Sequence, residues 1–302
     1  MNILKFLERI QYHWFDLILN RFVVLCLYLK AKLWFDVNFN SQSVAISSID
    51  IDVVIPVIER DLEILWYTIK SIKKHIMHNI NKIYIIAPKS DKIINFCKEN
   101  WCQFIDEDSI LPIKKKDIWY FIDWIDRSWW IYQQLLKYWM KDFVEKEYFL
   151  VTESEAVFLQ NRRFEYNGKF IMPVSSAIPH IPYFKMLEKL TWNKYNTFYS
   201  FTSHHSLISK KILGDLLIDI EKKSNTKWFE SIIANLSTND VSCVPSDYET
   251  YWQYFYKCNK NQIILEHWFN LDLQRKYLDQ YDDIIKKLEW KNKVVSFSWY
   301  LN

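Results

Sequence analysis

Ile51-Asp-Val-Val-Ile-Pro-Val57 reads as a strand with no face left for solvent. A near-continuous β-branched run of this length belongs in a sheet covered on both sides, the usual setting of parallel strands. From Asp61 to His75, Leu62, Leu65, Trp66, Ile69 and Ile72 fall on one stripe, which predicts a helix with Asp61 as its cap. A strand over Lys82–Ala87, a helix over Ser90–Glu99 and a strand over Cys102–Ile105, ending in Asp106-Glu107-Asp108, continue the alternation. Strands and helices at this spacing form βαβ units. Right-handed crossovers then wind them into a doubly wound sheet.

Two more apolar runs, Tyr148 to Val151 and Ala156 to Leu159, flank the acidic triplet Glu153-Ser154-Glu155. In an extended chain residues i and i+2 share a side, so Glu153 and Glu155 project together. Two carboxylates at the carboxyl end of a buried strand are costly unless a positive charge sits between them. A divalent cation holding a diphosphate is one occupant, because Mg²⁺ takes one or two carboxylates plus phosphate oxygens. A solvated acidic turn is the other reading. The preceding helix, Ser128 to Phe143, puts Gln133 and Lys137 on one face with Trp130. That face either meets a ligand at the carboxyl ends of the strands or is simply solvated.

Composition removes several function classes. Only two glycines occur, Gly168 and Gly214. A Rossmann fingerprint, a P-loop and a Gly-x-Ser-x-Gly elbow each need two closely spaced glycines, so none is present in its usual form. A net charge of +3 without a long basic run does not suggest a nucleic-acid partner. The five cysteines form no Cys-x-x-Cys pair and read as reduced thiols of a cytosolic protein. Aromatic residues make up 18% of the chain, a surplus that suits stacking on sugars or bases as well as core packing.

Residues 1–35 are apolar and basic, with Lys5, Arg9, Arg21, Lys30 and Lys32 against Glu8 and Asp16. Their longest apolar run, Phe22 to Leu29, is too short to span a bilayer. One or two helices are expected, with Trp14, Phe15, Leu17, Ile18, Phe22 and Leu25 near helical spacing. They would lie either on a membrane surface or on the chain's own domain. A polar linker follows at Asn38–Ser48. The later third predicts a strand at Lys169–Pro173, helices at Tyr183–Leu190 and Lys210–Lys222, and His204-His205 between those helices. Adjacent residues of an extended chain face opposite ways, so one of the two histidines enters a site. Ser246-Asp-Tyr-Glu-Thr-Tyr-Trp252 opens a helix, and 263–302 reads as a strand and a helix over Leu271–Leu288.

In order along the chain stand Asp52-Val-Val-Ile-Pro56, Glu59-Arg-Asp61, Trp130-Ile-Tyr-Gln133-Gln134-Leu-Leu-Lys137, Glu153-Ser-Glu155, His204-His205 and Ser246-Asp-Tyr-Glu-Thr-Tyr251. This arrangement resembles a family of bacterial and viral proteins with a GT-A-like glycosyltransferase fold, over roughly residues 50 to 256. The resemblance implies an α/β nucleotide-diphospho-sugar transferase fold, with a mostly parallel central sheet flanked by helices. It implies a domain at 46–265 between an N-terminal helical segment, 1–45, and a C-terminal extension, 266–302. Pro56, Asp61, Trp130, Gln133, Gln134 and Lys137 are then expected at the donor, and Glu153, Glu155 and His204 at a divalent cation, Mn²⁺ or Mg²⁺. Asp247 and Glu249 are the candidate bases. Their side chains leave a helix about 200° apart, so only one enters the cleft. Glu249 is preferred because the family-like motif keeps Glu there.

The implied function is transfer of a sugar from a nucleotide-sugar to a glycan or lipid-linked acceptor in surface polysaccharide synthesis. Its expected place is the cytoplasm, at the inner face of the membrane, with peripheral contact through residues 1–35. Alternatives are a nucleotidyltransferase, whose glycine-rich signature would stand where Val57–Asp61 does, and a non-catalytic scaffold. The family's metal-binding turn is typically built from aspartates, whereas both acidic positions here are Glu. The extra methylene moves each carboxylate about 1.5 Å outward.

Overall fold

The computed structural model describes residues 3–33, 45–122, 124–195, 198–237 and 243–298. A long helix α1 (Ile3–Lys32) precedes β1 (Asp50–Pro56), α2 (Leu62–His75), β2 (Asn79–Ala87), α3 (Asp91–Glu99) and β3 (Gln103–Asp106). A small hairpin of β4 (Phe121–Ile122) and β5 (Ile125–Asp126) leads into α4 (Ser128–Trp139), β6 (Tyr148–Thr152) and β7 (Ala156–Phe158). Then come β8 (Glu165–Tyr166), β9 (Lys169–Ser175), α5 (Ile181–Thr191), β10 (His205–Ser209), α6 (Lys210–Ser224) and α7 (Trp228–Ala234). The chain closes with α8 (Asp247–Cys258), β11 (Ile263–Trp268), β12 (Asp272–Gln274), α9 (Tyr281–Leu288) and β13 (Val294–Ser298).

Five strands form the central sheet in the order β10-β6-β1-β2-β3. All are mutually parallel except β10, which runs antiparallel to β6. Val53, Val54 and Ile55 of β1 are fully buried, as a strand covered on both faces requires. The expected α/β class, a mostly parallel sheet flanked by helices, is therefore the observed one. Asp52, at the amino end of β1, is a structural clamp. Its carboxylate accepts the backbone N–H groups of Glu145 (2.7 Å) and Lys146 (2.8 Å) and the Asn81 amide (2.9 Å), tying β2 and the entry to β6 onto β1.

Smaller sheets, β11-β9-β8 and β12-β13-β7, complete the domain. The expected helix at Leu271–Leu288 is instead β12, a 3-10 stretch from Arg275 to Gln280, and helix only from Tyr281. Its start is diverted because Asp272–Gln274 pairs in parallel with the unforeseen last strand, β13. Strand β13 also pairs with β7, directly after the acidic triplet. Helix α7 was not foreseen either, and α4 ends at Trp139 in a 3-10 turn rather than at Phe143.

Helix α1 packs along one side on the chain's own domain. Asn20 is buried and donates to Phe198 O (2.7 Å), Arg21 donates to Ser176 O (3.0 Å), and Val24 and Leu27 pack on the main core. Phe15, Ile18, Phe22 and Leu25 point to solvent. Among the described residues no helix is long and apolar enough to cross a membrane. Most of the linker at Asn38–Ser48 lies outside the described residues.

Candidate functional site

Counting outward from β1, β2 and β3 lie to one side and β6 to the other, so the strand order reverses between β1 and β6. Ligands of open α/β sheets bind outside the carboxyl ends of the strands at such a reversal. A cleft of about 360 Å³ opens there. Its walls carry Pro56 and Asp61 from the end of β1, and Trp130, Gln133 and Lys137 from α4. Glu153 and Glu155 follow β6, His204 precedes β10, and Asp247 and Tyr248 open α8. The helix face read from spacing is thus a cleft wall and not a solvated surface.

Lys137 is the centre of one charge cluster. Its ammonium, almost wholly buried, lies 2.7 Å from Glu153 Oε1 and 2.9 Å from Asp247 Oδ2. The Tyr248 hydroxyl donates to the same Glu153 oxygen (2.8 Å). Burial works against the Lys137 charge, but Asp247 and Glu153 outweigh it and raise the pKa above the usual lysine value. Glu153 is pushed up by burial and pulled further down by Lys137, ending below the usual range. Asp247 goes the other way: burial dominates over Lys137, and its pKa is raised. One cation serving two carboxylates leaves Asp247 the member that favours a proton.

Arg275 makes a second cluster of the same form. Its Nη2 lies 2.9 Å from Glu155 Oε2 and 3.1 Å from Asp61 Oδ1, while its Nε donates to Phe297 O (2.7 Å). Glu155 also accepts from the Ser298 hydroxyl (3.0 Å), yet burial still raises its pKa. His204 Nε2 is 3.0 Å from Asp272 Oδ1. Burial disfavours the imidazolium, but Asp272 and the two triplet glutamates overcome that and raise its pKa. The triplet is held by Thr68, whose hydroxyl donates to Ser154 O (2.8 Å), and by Glu153 N–H donating to His204 O (3.0 Å).

Three expected placements differ. Asp61 occupies the cap position of α2 but makes no capping bond, because its carboxylate turns to Arg275 and to the Ser154 hydroxyl (3.4 Å). Gln134 faces away from the cleft mouth: its Oε1 accepts Asp247 N–H (2.9 Å) and anchors the start of α8. Glu249 does not line the cleft at all. It is 1% exposed and accepts from Phe201 N–H (2.8 Å), Gln253 Nε2 (2.7 Å), and the Thr202 (3.1 Å) and Ser200 (3.2 Å) hydroxyls. Burial outweighs these donors and lifts its pKa to about 7. Only one of the two helix-start carboxylates enters the cleft, as helical geometry requires, and it is Asp247 rather than the preferred Glu249.

Sequence reasoning missed Tyr248, Asp272 and Arg275. Tyr248 stood inside a motif already singled out. Arg275 left no signal, being 120 residues from Glu155 and 214 from Asp61.

The donor set fits a divalent cation poorly. Glu153 is engaged by Lys137, Glu155 by Arg275 and His204 by Asp272. Among the described residues no three His, Cys, Asp or Glu side chains converge as a ligand set. A hard cation needs several oxygens turned toward one point.

Neither a protein-family model nor a curated protein matches the chain. Solved structures resemble it distantly. The apo-form glycosyltransferase GlyE of Streptococcus pneumoniae aligns with 83% of this chain at 14% identity and TM-score 0.37. This chain spans only 55% of GlyE's length. Glucosyl-3-phosphoglycerate synthase of Mycobacterium tuberculosis, solved with Mn²⁺, UDP and glucosyl-3-phosphoglycerate, aligns with 80% of this chain and 77% of its own at 9% identity and TM-score 0.41. The galactosyltransferase LgtC, in complex with donor and acceptor sugar analogs, aligns over 82% and 87% at 11% identity and TM-score 0.44. Likeness at this level says nothing of what this chain binds.

Proposed function

We propose that this chain is a glycosyltransferase that takes its sugar from a nucleotide-sugar donor and passes it to a glycan or lipid-linked acceptor. One observation carries the reading: three separated segments bring Trp130 and Lys137, Glu153, and Asp247 together in the cleft where the strand order reverses. Such a cleft suits a nucleotide at the end of β1, beside Pro56 and Asp61, with Trp130 and Gln133 available to the sugar. Arg60 and Lys115, also on its walls, offer positive charge to a departing diphosphate.

Asp247 is the base in this reading. An acceptor hydroxyl within about 3 Å of it would give up its proton as the hydroxyl oxygen attacks the anomeric carbon and the diphosphate leaves. Proton uptake turns a strained arrangement, one ammonium between two carboxylates, into a matched Lys137–Glu153 pair. The clustered charges thus favour the direction of the proton transfer.

The test is a panel of nucleotide sugars assayed for nucleoside diphosphate release. Asp247→Asn is expected to lower kcat by about 10² to 10⁴ with donor Kd nearly unchanged. Turnover within about tenfold of the unmodified enzyme would remove Asp247 from this role, and no release from any donor would favour a binding protein. Contact with an anionic lipid surface belongs to the same reading, supported by the exposed stripe of α1 beside Arg21, Lys30 and Lys32.

A further inference from the structure

The cleft holds four carboxylates near the triplet, and each is already paired with a cation of the chain. Glu153 and Asp247 share the ammonium of Lys137 at 2.7 and 2.9 Å. Glu155 and Asp61 share the guanidinium of Arg275 at 2.9 and 3.1 Å. We infer that Lys137 and Arg275 stand where a divalent cation would otherwise sit, so that the cleft binds a diphosphate through protein cations and without metal. The inference rests on the donor reading given above and deepens it.

Both cations are fixed by covalent and hydrogen-bonded surroundings, not loosely folded over the acids. Lys137 lies inside α4, and its ammonium is also 4.6 Å from the centre of the Tyr248 ring. Arg275 directly follows β12, and its Nε is bonded to the carbonyl of Phe297 on β13, the strand that pairs with β7. A divalent ion approaching Glu153 or Glu155 would meet a like charge within ion-pair distance. A guanidinium has a planar fork of five N–H donors that matches phosphate oxygens. Nε and Nη2 of Arg275 have partners, and Nη1 makes no hydrogen bond among the described residues. The longer Glu side chains fit this arrangement, since each reaches a cation set back from the turn.

Two measurements on the unmodified full chain decide the matter. Free Mn²⁺ followed by electron paramagnetic resonance should be unchanged by the protein up to about 1 mM metal. UDP or GDP should bind with the same Kd, within about twofold, in EDTA and in Mn²⁺. Arg275→Met is then expected to weaken nucleotide binding in EDTA at least about tenfold and to take up Mn²⁺ at the vacated Asp61–Glu155 pair. Arg275→Lys keeps the charge and should still exclude the metal, which covers the case in which Arg275→Met does not fold. Stoichiometric Mn²⁺ uptake by the unmodified chain, or nucleotide binding lost in EDTA, overturns the inference. Unaltered nucleotide affinity in folded Arg275→Met overturns the part assigned to Arg275. If neither nucleotide binds in either buffer the donor reading fails, and the Mn²⁺ titration alone then judges the metal exclusion.

Discussion

His204 and His205 are joined by one peptide bond and face two clusters of buried charge balanced in opposite senses. On the His205 side, Glu266 is held by two cations, Arg162 at 2.6 Å and Lys293 at 2.7 Å. The Arg162 guanidinium lies 5.0 Å from the ring centre of Phe164 and 4.6 Å from that of Trp268, and the ring centres of His205 and Trp268 are 4.6 Å apart. Burial and then Arg162 drive the His205 pKa far down, so it packs there as a neutral ring. On the His204 side the ratio is inverted: Lys137 and Arg275 are each shared by two carboxylates. A carboxylate with cations to spare holds a fold together. Carboxylates competing for one cation keep a member ready to accept a proton, which is useful only where a substrate can reach it. Two residues joined at the start of β10 thus belong to a sealed region and to the proposed site.

The sharpest way to break this comparison is Glu266→Gln. It leaves Arg162 buried without its counter-charge, and the expected loss is about 3–5 kcal/mol in urea unfolding. A loss under about 1 kcal/mol would mean that the sealed cluster is not structural. Nucleotide binding by the folded fraction should not change.

Next comes pH. Glu249 is a buried acid whose folded pKa, about 7, lies above its ordinary value of 4.5. Between those values the folded state binds more protons than the unfolded one, so this group costs stability as pH rises from 4.5 to 7 and costs no more above that. The full span is worth about 3 kcal/mol. Glu266 has the opposite sign: burial raises it, but Arg162 and Lys293 bring its folded pKa well below 4.5, so its stabilisation is present above pH 4.5 and lost on acidification. Glu249→Gln should flatten the fall between pH 5 and 7 in denaturant titrations and leave the acid limb intact. A slope that survives the substitution would assign the fall to another group.

Lys137→Met has a smaller expected effect on stability, about 1–3 kcal/mol, because Glu153 and Asp247 line a cleft where they can take up protons. Turnover should fall about a hundredfold or more. Stability loss as large as that of Glu266→Gln, with turnover intact, would erase the distinction between the clusters.

The least effect on the fold is expected from Ile18→Glu in α1, since Ile18 is 59% exposed. Its melting curve should match the unmodified protein within about 0.5 kcal/mol. Co-sedimentation with anionic vesicles should drop, and unchanged sedimentation would remove the lipid contact. Removing α1 altogether is a different experiment, because Asn20, Val24 and Leu27 would leave the core open.

What local pattern encodes was readable from the chain. The β-branched run of β1 and the alternation around it required a covered parallel sheet, and the apolar runs on either side of Glu153–Glu155 became β6 and β7. The seven-residue spacing from Trp130 to Lys137 set both on one face, and the helix expected to open at Ser246 became α8, with Ser246 accepting Glu249 N–H at 3.3 Å. These follow from periods of 2 and 3.6 residues and from capping, all properties of neighbours in sequence. Periodicity says which side chains share a face but not what that face meets. Packing alone turned Asp247 into the cleft and Glu249 away from it. Pairing β13 with β7 and β12 carried Arg275 across 120 residues to Glu155. An ion pair forms through space between side chains that no local rule connects, so the partner of each triplet carboxylate was decided only when the sheets closed.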